Sequence, residues 1–167
     1  GFKFAPSPPS REIMTKAAYE KNFVIPAMHP SYPVKAEYKF EKDFRILGFM
    51  PHMHLRGKSF LYELQYPDGR KEVLLNVPRY DFNWQLWYMF KEPRVVPRGS
   101  RMICTAYFDN SDANLANPDP KAMVRYGDQT WEEMMFGWFE MALADQDLQA
   151  PATDSALRVK EFRSEEH

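Results

Sequence analysis

Four histidines occur among the 167 residues, and two of them, His52 and His54, are separated by a single residue. On a β-strand, residues i and i+2 point to the same face, so both imidazoles can reach one point in space. Imidazole binds copper, zinc, iron and nickel alike, so this spacing indicates a metal chelate without selecting the metal. The alternative is a pair of histidines that form hydrogen bonds across a sheet and bind no metal.

The sequence is also rich in a soft donor that would complete such a site. It contains ten methionines, and a thioether selects Cu(I) over zinc or magnesium. The ordinary role of a single methionine is to fill the core, so composition does not choose among them. The candidates by position are Met28, Met50, Met53, Met134 and Met135.

Two motifs in a fixed order carry a family resemblance. The segment HMHLRGK begins at His52, and the segment TWEEM follows much later and ends at Met134. Together they resemble the C-terminal domain of the copper type II, ascorbate-dependent monooxygenases, over residues 34–142 and including the segments YDFNWQ, DNS and NPDP. The resemblance implies one copper ion held by His52, His54 and Met134 on a jelly-roll-like antiparallel β-sandwich. It also implies a periplasmic or secreted protein.

The resemblance implies C–H hydroxylation with dioxygen and with ascorbate or another reductant. The family uses a second copper, held by three histidines on a preceding domain. After His52 and His54 are assigned, only His29 and His167 remain, and they cannot form a three-histidine site. We therefore expect the oxygen-activating half of an enzyme, with the second electron supplied by another domain or a redox partner protein. The alternative is a non-catalytic copper-binding, electron-transfer or interaction module of a larger extracytoplasmic complex.

Three apolar residues stand where the peptide-modifying member of this family clamps a carboxylate. They are Met50, before the histidine pair, and Phe136 and Trp138, after the methionine. An apolar pocket cannot hold an unpaired charge, so we expect a small apolar organic substrate and not a peptidylglycine. The family's disulfide beside the methionine is missing, because Met135 stands there and Cys104 is the only cysteine.

Several polar residues near the motifs have further candidate roles. Asp81, Asn83 and Gln85 are candidates for hydrogen bonds to the ligand imidazoles. Arg56 and Lys58 would steer an anionic reductant or, more simply, lie solvated at a strand end. The long polar loop that follows contains acidic residues suited to Ca²⁺, for which turn chemistry is the simpler assignment. These acidic residues are Asp109, Asp112 and Asp119.

The elements that must position these residues are predicted to be strands. From residue 34 onward, apolar and charged residues alternate with a period of two, which is typical of a strand with one solvent-facing side. Further runs of this kind are separated by the turn sequences PDG at 67–69 and PRG at 97–99. With an aromatic content of 16%, this pattern favours an all-β sandwich.

The two ends of the chain are predicted to differ from this centre. Ser10 is suited to cap a short helix that ends near Lys21. The expected organisation is a proline-rich and helical lead-in over residues 1–33, the β-sandwich over residues 34–142, and an irregular tail or linker over residues 143–167. Because the sequence starts at Gly1 without a signal peptide, we expect a processed chain or a segment of a longer polypeptide.

Charge and hydropathy exclude two classes of partner. Lysine and arginine total 22 against 23 acidic residues, a formal net charge of −1, so there is no concentrated basic face for nucleic acid. No run of residues approaches the roughly 18 apolar positions of a membrane span.

Overall fold

The structure is a computed structural model that describes residue 1, residues 3–4 and residues 6–149. Within them the chain forms strands and no α-helix, so no helix that could cross a membrane is present in this part. The strands are β1 (Met14–Tyr19), β2 (Val24–Ile25), β3 (Tyr32–Lys39), β4 (Phe44–His52), β5 (Gly57–Gln65), β6 (Lys71–Val77), β7 (Tyr88–Val96), β8 (Arg101–Phe108), β9 (Val124–Arg125) and β10 (Phe136–Leu143).

Eight of these strands form two four-stranded sheets. The first sheet has the order β1-β10-β4-β7 and the second sheet has the order β3-β8-β5-β6, while β2 and β9 form a small pair of their own. Every pairing between these strands is antiparallel. Two antiparallel sheets that share one apolar core constitute a β-sandwich. The predicted all-β sandwich class is thus confirmed in its general form.

The core lies between the sheets and follows the predicted alternation. In β5, Phe60, Tyr62 and Leu64 are all fully buried, and their neighbours are not. Tyr62 meets Phe49 of the first sheet, with ring centroids 4.6 Å apart. Cys104 is also fully buried in this core as a free thiol, and burial raises the pKa of that thiol. The lone cysteine is therefore a packing residue.

The predicted N-terminal helix is wrong. Its central residues form β1, which pairs with β10 from Met14 opposite Met141 to Tyr19 opposite Phe136. A helix of this length is marginal by itself, whereas pairing with β10 satisfies the backbone of β1 and buries Ala18, which is 1% exposed. Tertiary pairing has overridden local propensity here.

The C-terminal tail is described only as far as residue 149. From β10 onward this part has no strand or helix and turns back toward the N-terminal segment. The backbone N–H of Leu148 donates to the carbonyl of Ser10, and Glu12 donates its backbone N–H to the Gln146 side chain at 2.7 Å. The rest of the predicted tail, residues 150–167, lies outside the described residues.

The segment between β4 and β5 carries the chain from the first sheet to the second. It starts at His52, the last residue of β4, and ends at Gly57, the first residue of β5. We call residues 53–56 the crossover. A Cβ atom at Gly57 would lie 2.6 Å from the Tyr80 ring, so the close approach of that ring requires glycine at this position. The HMH motif therefore lies where the chain changes sheets.

Candidate functional site

The two imidazoles of the HMH motif lie side by side at this end of the sandwich. Their ring centroids are 5.3 Å apart and the planes are nearly perpendicular, at 83°. His52 is partly buried and His54 is 6% exposed. Two imidazoles that share a first-row metal, each with a nitrogen roughly 2 Å from it, have centroids about 5 Å apart. The spacing of the rings therefore fits a shared metal ion.

His52 is anchored by a side chain from the segment that precedes β7. Its Nδ1 atom lies 2.6 Å from Oε1 of Gln85, and Gln85 donates from Nε2 to the carbonyl of Phe82 at 2.8 Å. Gln85 thus makes the predicted contact with one of the two imidazoles. Asp81 and Asn83 bond instead to each other, with the Asn83 backbone N–H donating to Asp81 Oδ1 at 2.8 Å.

His54 is anchored by the backbone just before Met134. Its Nδ1 atom lies 3.2 Å from the carbonyl oxygen of Glu132, and a carbonyl only accepts, so Nδ1 carries the proton and Nε2 holds the lone pair. The Phe82 ring meets this imidazole edge-on, with centroids 6.2 Å apart. Burial lowers the pKa of His54, and the carbonyl of Glu132 opposes that shift. The lowered pKa favours the neutral ring, the form that binds a metal.

Glu133 fixes the backbone of the crossover. This carboxylate is fully buried and accepts the backbone N–H of His54 at 2.8 Å on one oxygen and that of Arg56 at 2.6 Å on the other. Burial raises the pKa of Glu133 to about 7, against the effect of these bonds. In the TWEEM motif Glu133 is the neighbour of Met134, and no role of its own was predicted for it. Because the backbone N–H of His54 that it binds is 79 residues away, no pattern among neighbouring residues of the sequence indicates this bond.

Arg56 does not lie solvated at a strand end, and that prediction is wrong. Its side chain is 1% exposed, with Nε donating to Asn110 Oδ1 at 2.8 Å and Nη1 to the carbonyl of Trp131 at 2.8 Å. A buried guanidinium needs acceptors because an unpaired charge is costly there, and these two groups supply them. Lys58 is exposed, as expected, and donates to the carbonyl of Pro30 at 2.8 Å.

The long polar loop is built on turns, and Asn110 is its centre. Asn110 is fully buried; its amide nitrogen donates to the carbonyls of Pro26 and Ala122, both at 2.9 Å. Asp109 and Asp119 each accept a backbone N–H two residues ahead, which is the Asx-turn pattern. Among the described residues no three His, Cys, Asp or Glu side chains form a metal-binding group. The side-chain bonds of Asp109 and Asp119 are those of turn residues.

No role was predicted for Tyr80, whose side chain binds the backbone of Met53, the middle residue of the HMH motif. Its hydroxyl donates to the carbonyl of Met53 at 2.6 Å and accepts the Met53 backbone N–H at 3.0 Å. Burial raises the pKa of this phenol above its ordinary value, so it remains a hydroxyl that can both donate and accept. Met53 itself is fully buried and packs in the core, which leaves it out of the candidate ligands.

The register of β10 against β4 indicates on which face Met134 would lie. In the pairing of β10 with β4, Phe136 is the Cα partner of His52 and Trp138 is the partner of Met50. Opposed residues of an antiparallel pair share a face, so these four lie on the outer face of the first sheet. Met134 precedes Phe136 by two residues and is partly buried. An extended chain between them would put it on the same face, beside His54.

Aromatic side chains continue this outer face away from the histidines. Phe136 stacks on Trp138 with centroids 5.2 Å apart and on Tyr19 with centroids 5.3 Å apart. The Phe136 ring also lies 6.4 Å from the His52 ring. Tyr19, Phe136 and Trp138 line an open pocket of about 550 Å³ together with further residues of β1 and β3, among them the charged Lys16 and Glu37. Of the three residues predicted for the substrate pocket, Met50 is the one that does not line it.

Comparisons with known proteins give no information on the chemistry of this site. No family model matches the chain, and no curated protein matches it. It is similar to a structure of infectious bursal disease virus, Gt strain, with 11% identity over 86% of this chain and 37% of that one, at a TM-score of 0.35. It is also similar to the VP2 subviral particle of that virus, with 10% identity over 99% of this chain and 52% of the other, at a TM-score of 0.33. The chain thus spans about half of those chains or less, and such distant likenesses carry no argument about function.

Proposed function

We propose that this chain is a mononuclear copper-binding domain and the oxygen-activating half of a copper-dependent monooxygenase. One observation carries the proposal: two imidazoles lie 5.3 Å apart with each Nδ1 held by an acceptor. Such anchoring leaves the Nε2 lone pairs of both rings for a metal. The jelly-roll-like form of the sandwich and a periplasmic or secreted location belong to the same proposal.

The donors suit copper better than zinc. His52 and His54 would bind it through Nε2, and the soft thioether of Met134 would favour the reduced ion. When bound, copper supplies one-electron chemistry toward dioxygen. The protein's own part is to hold the donors in place: Gln85 orients His52, the carbonyl of Glu132 orients His54, and the Glu133 carboxylate ties the crossover to the strand that Met134 precedes.

The substrate proposed is a small apolar organic molecule. Support comes from Phe136, which lies beside His52 and stacks on Trp138. Both aromatic rings line a pocket of about 550 Å³, whose other lining includes the charged Lys16 and Glu37. Met50, the Cα partner of Trp138, would add to this apolar surface next to the histidines. Ascorbate or another reductant would supply electrons, and the second electron would come from another domain or a redox partner protein.

A copper-binding module without turnover is the second candidate. It is favoured by the lack, in the described residues, of any group of three His, Cys, Asp or Glu side chains able to hold a further metal. An electron-transfer module or an interaction domain of a larger extracytoplasmic complex would need no metal site beyond that of His52, His54 and Met134. Product analysis separates the two candidates: the Cu(I)-loaded chain, given a redox partner, dioxygen and an apolar substrate, forms a hydroxylated product only if it is the catalytic half.

Copper binding itself is tested by anaerobic titration of the chain with Cu(I). We expect one Cu(I) per chain in the wild type and about a 100-fold or greater loss of affinity in His52→Ala, because a ligand is removed. The matched control is His29→Ala, whose ring accepts the backbone N–H of Ser31 and is not part of the site. Equal affinity of wild type and His52→Ala for Cu(I) would contradict the proposal.

A further inference from the structure

The amide of Gln85 is held so that only one of its ends can face His52. Its nitrogen donates to the carbonyl of Phe82 at 2.8 Å. The amide oxygen could not take this place, because it has no hydrogen to donate to a carbonyl. The amide oxygen therefore faces Nδ1 of His52, at 2.6 Å. Because that oxygen accepts only, Nδ1 must carry the proton and Nε2 must hold the lone pair.

The turn that carries Gln85 is itself braced. The backbone N–H of Trp84 donates to the carbonyl of Asp81, and that of Tyr80 donates to the carbonyl of Lys58. Tyr80 also bonds to both backbone groups of Met53, between the two histidines. The anchor of His52 is thus tied to the backbone of the motif that it orients, and the position of the Gln85 amide is fixed by the fold.

We propose that Gln85 is a positioning residue that sets the tautomer of His52 before any metal binds. A neutral histidine in water prefers the proton on Nε2, which would block that atom as a ligand. Gln85 reverses this preference and leaves the Nε2 lone pair of His52 available as a ligand, beside the ring of His54. The inference deepens the proposed function and rests on it for the identity of the metal, but the tautomer is a property of the metal-free chain.

The two imidazoles supply an internal control. His54 obtains the same tautomer from the backbone carbonyl of Glu132, which side-chain substitution leaves in place. His52 obtains it from a side chain, which substitution removes. Loss of the Gln85 amide should therefore change the tautomer of one ring in the site and leave the other unchanged. A general loosening of the structure would affect both rings.

The direct test is a long-range ¹H–¹⁵N correlation spectrum of the ¹⁵N-labelled, metal-free chain at alkaline pH, where imidazole is neutral. In the wild type we expect both rings as the Nδ1–H form. In Gln85→Leu we expect His52 to shift to the Nε2–H form while His54 is unchanged. Gln85→Glu keeps an acceptor and should preserve the wild-type tautomer. Gln65→Leu, the same change at the far end of β5, should alter neither ring.

The inference is overturned if wild-type His52 is mainly Nε2–H, or if Gln85→Leu leaves its tautomer unchanged. A second readout is the affinity for Cu(I), measured by competition with a chromophoric chelator. We expect roughly a 10- to 100-fold loss in Gln85→Leu and rescue in Gln85→Glu. A changed tautomer with unchanged affinity would refute the positioning role. If the wild type bound no Cu(I), the proposed function would fail, and the spectra would still decide the tautomer.

Discussion

The two ends of the sandwich are stabilised in different ways. The hairpin end carries the β5–β6 hairpin and the short link from β7 to β8, which lie in different sheets. It uses tight turns with positive φ at Gly69 and Gly99, and its ion pairs reach solvent, such as Arg94 with Glu72. The site end buries Arg56, Glu133 and other polar groups and satisfies them by bonds between distant segments. Tight turns suffice at the hairpin end, both for the β5–β6 hairpin and for the short link that changes sheets between β7 and β8. The crossover, which carries His54 and follows His52, is instead fixed by buried polar groups.

The largest effect that this comparison predicts is for the buried arginine. Arg56→Ala should lower the free energy of unfolding by about 3 kcal/mol or more, since it removes the side-chain donor of the Trp131 carbonyl and one of the two donors of Asn110 Oδ1 and opens a cavity. Arg94→Ala at the hairpin end removes an exposed pair and should cost less than about 1 kcal/mol. Chemical denaturation of both variants checks this. Equal losses would refute the contrast between the two ends.

A smaller loss is expected for the buried carboxylate. Glu133→Gln replaces one acceptor oxygen by an NH₂ group, which cannot accept the backbone N–H of His54 or Arg56 that faced it. One buried donor is then unpaired, at a cost of about 1–3 kcal/mol. The control, Glu72→Gln, alters a partly exposed group and should cost less than about 1 kcal/mol. If Glu133→Gln unfolded at the same denaturant concentration as the wild type, the carboxylate would not be fixing the crossover.

The pH dependence of stability is expected to show two opposing contributions. Burial raises the pKa of Glu133 from 4.5 to about 7, so its contribution is fully present below pH 4.5 and is lost as the pH rises through 7. Burial lowers the pKa of His54 below 6.5, so its contribution is present above pH 6.5 and is lost as the pH falls through the lowered value.

Glu133→Gln separates these two contributions. Only the His54 contribution should remain, so the variant should lose stability on acidification below pH 6.5 more steeply than the wild type. Denaturation curves between about pH 5 and pH 8 measure the difference. Identical pH profiles for the two chains would show that Glu133 does not titrate in this range.

The sequence predicted what local patterns encode and missed what distant contacts decide. The PDG turn and the alternating strand β5 follow from neighbouring residues, and both are present. β1 was predicted as a helix because its pairing with β10 leaves no trace in its six residues. The burial of Arg56 went undetected for the same reason, as its acceptor Asn110 lies 54 residues away. At the site, the HMH spacing was enough to predict that the two imidazoles lie close together. The hydrogen bonds from Tyr80 and Glu133 to the backbone of the motif could be seen only in the structure.

The central claim is that one copper ion binds His52, His54 and the sulfur of Met134, and X-ray absorption on the Cu(I)-loaded chain tests it most directly. The spectrum should require two imidazole nitrogens and one sulfur in the wild type, and the sulfur contribution should vanish in Met134→Ala. It should persist in Met123→Ala, a methionine that is 68% exposed and lies outside the site. A wild-type spectrum without sulfur, or one that Met134→Ala leaves unchanged, would contradict the claim.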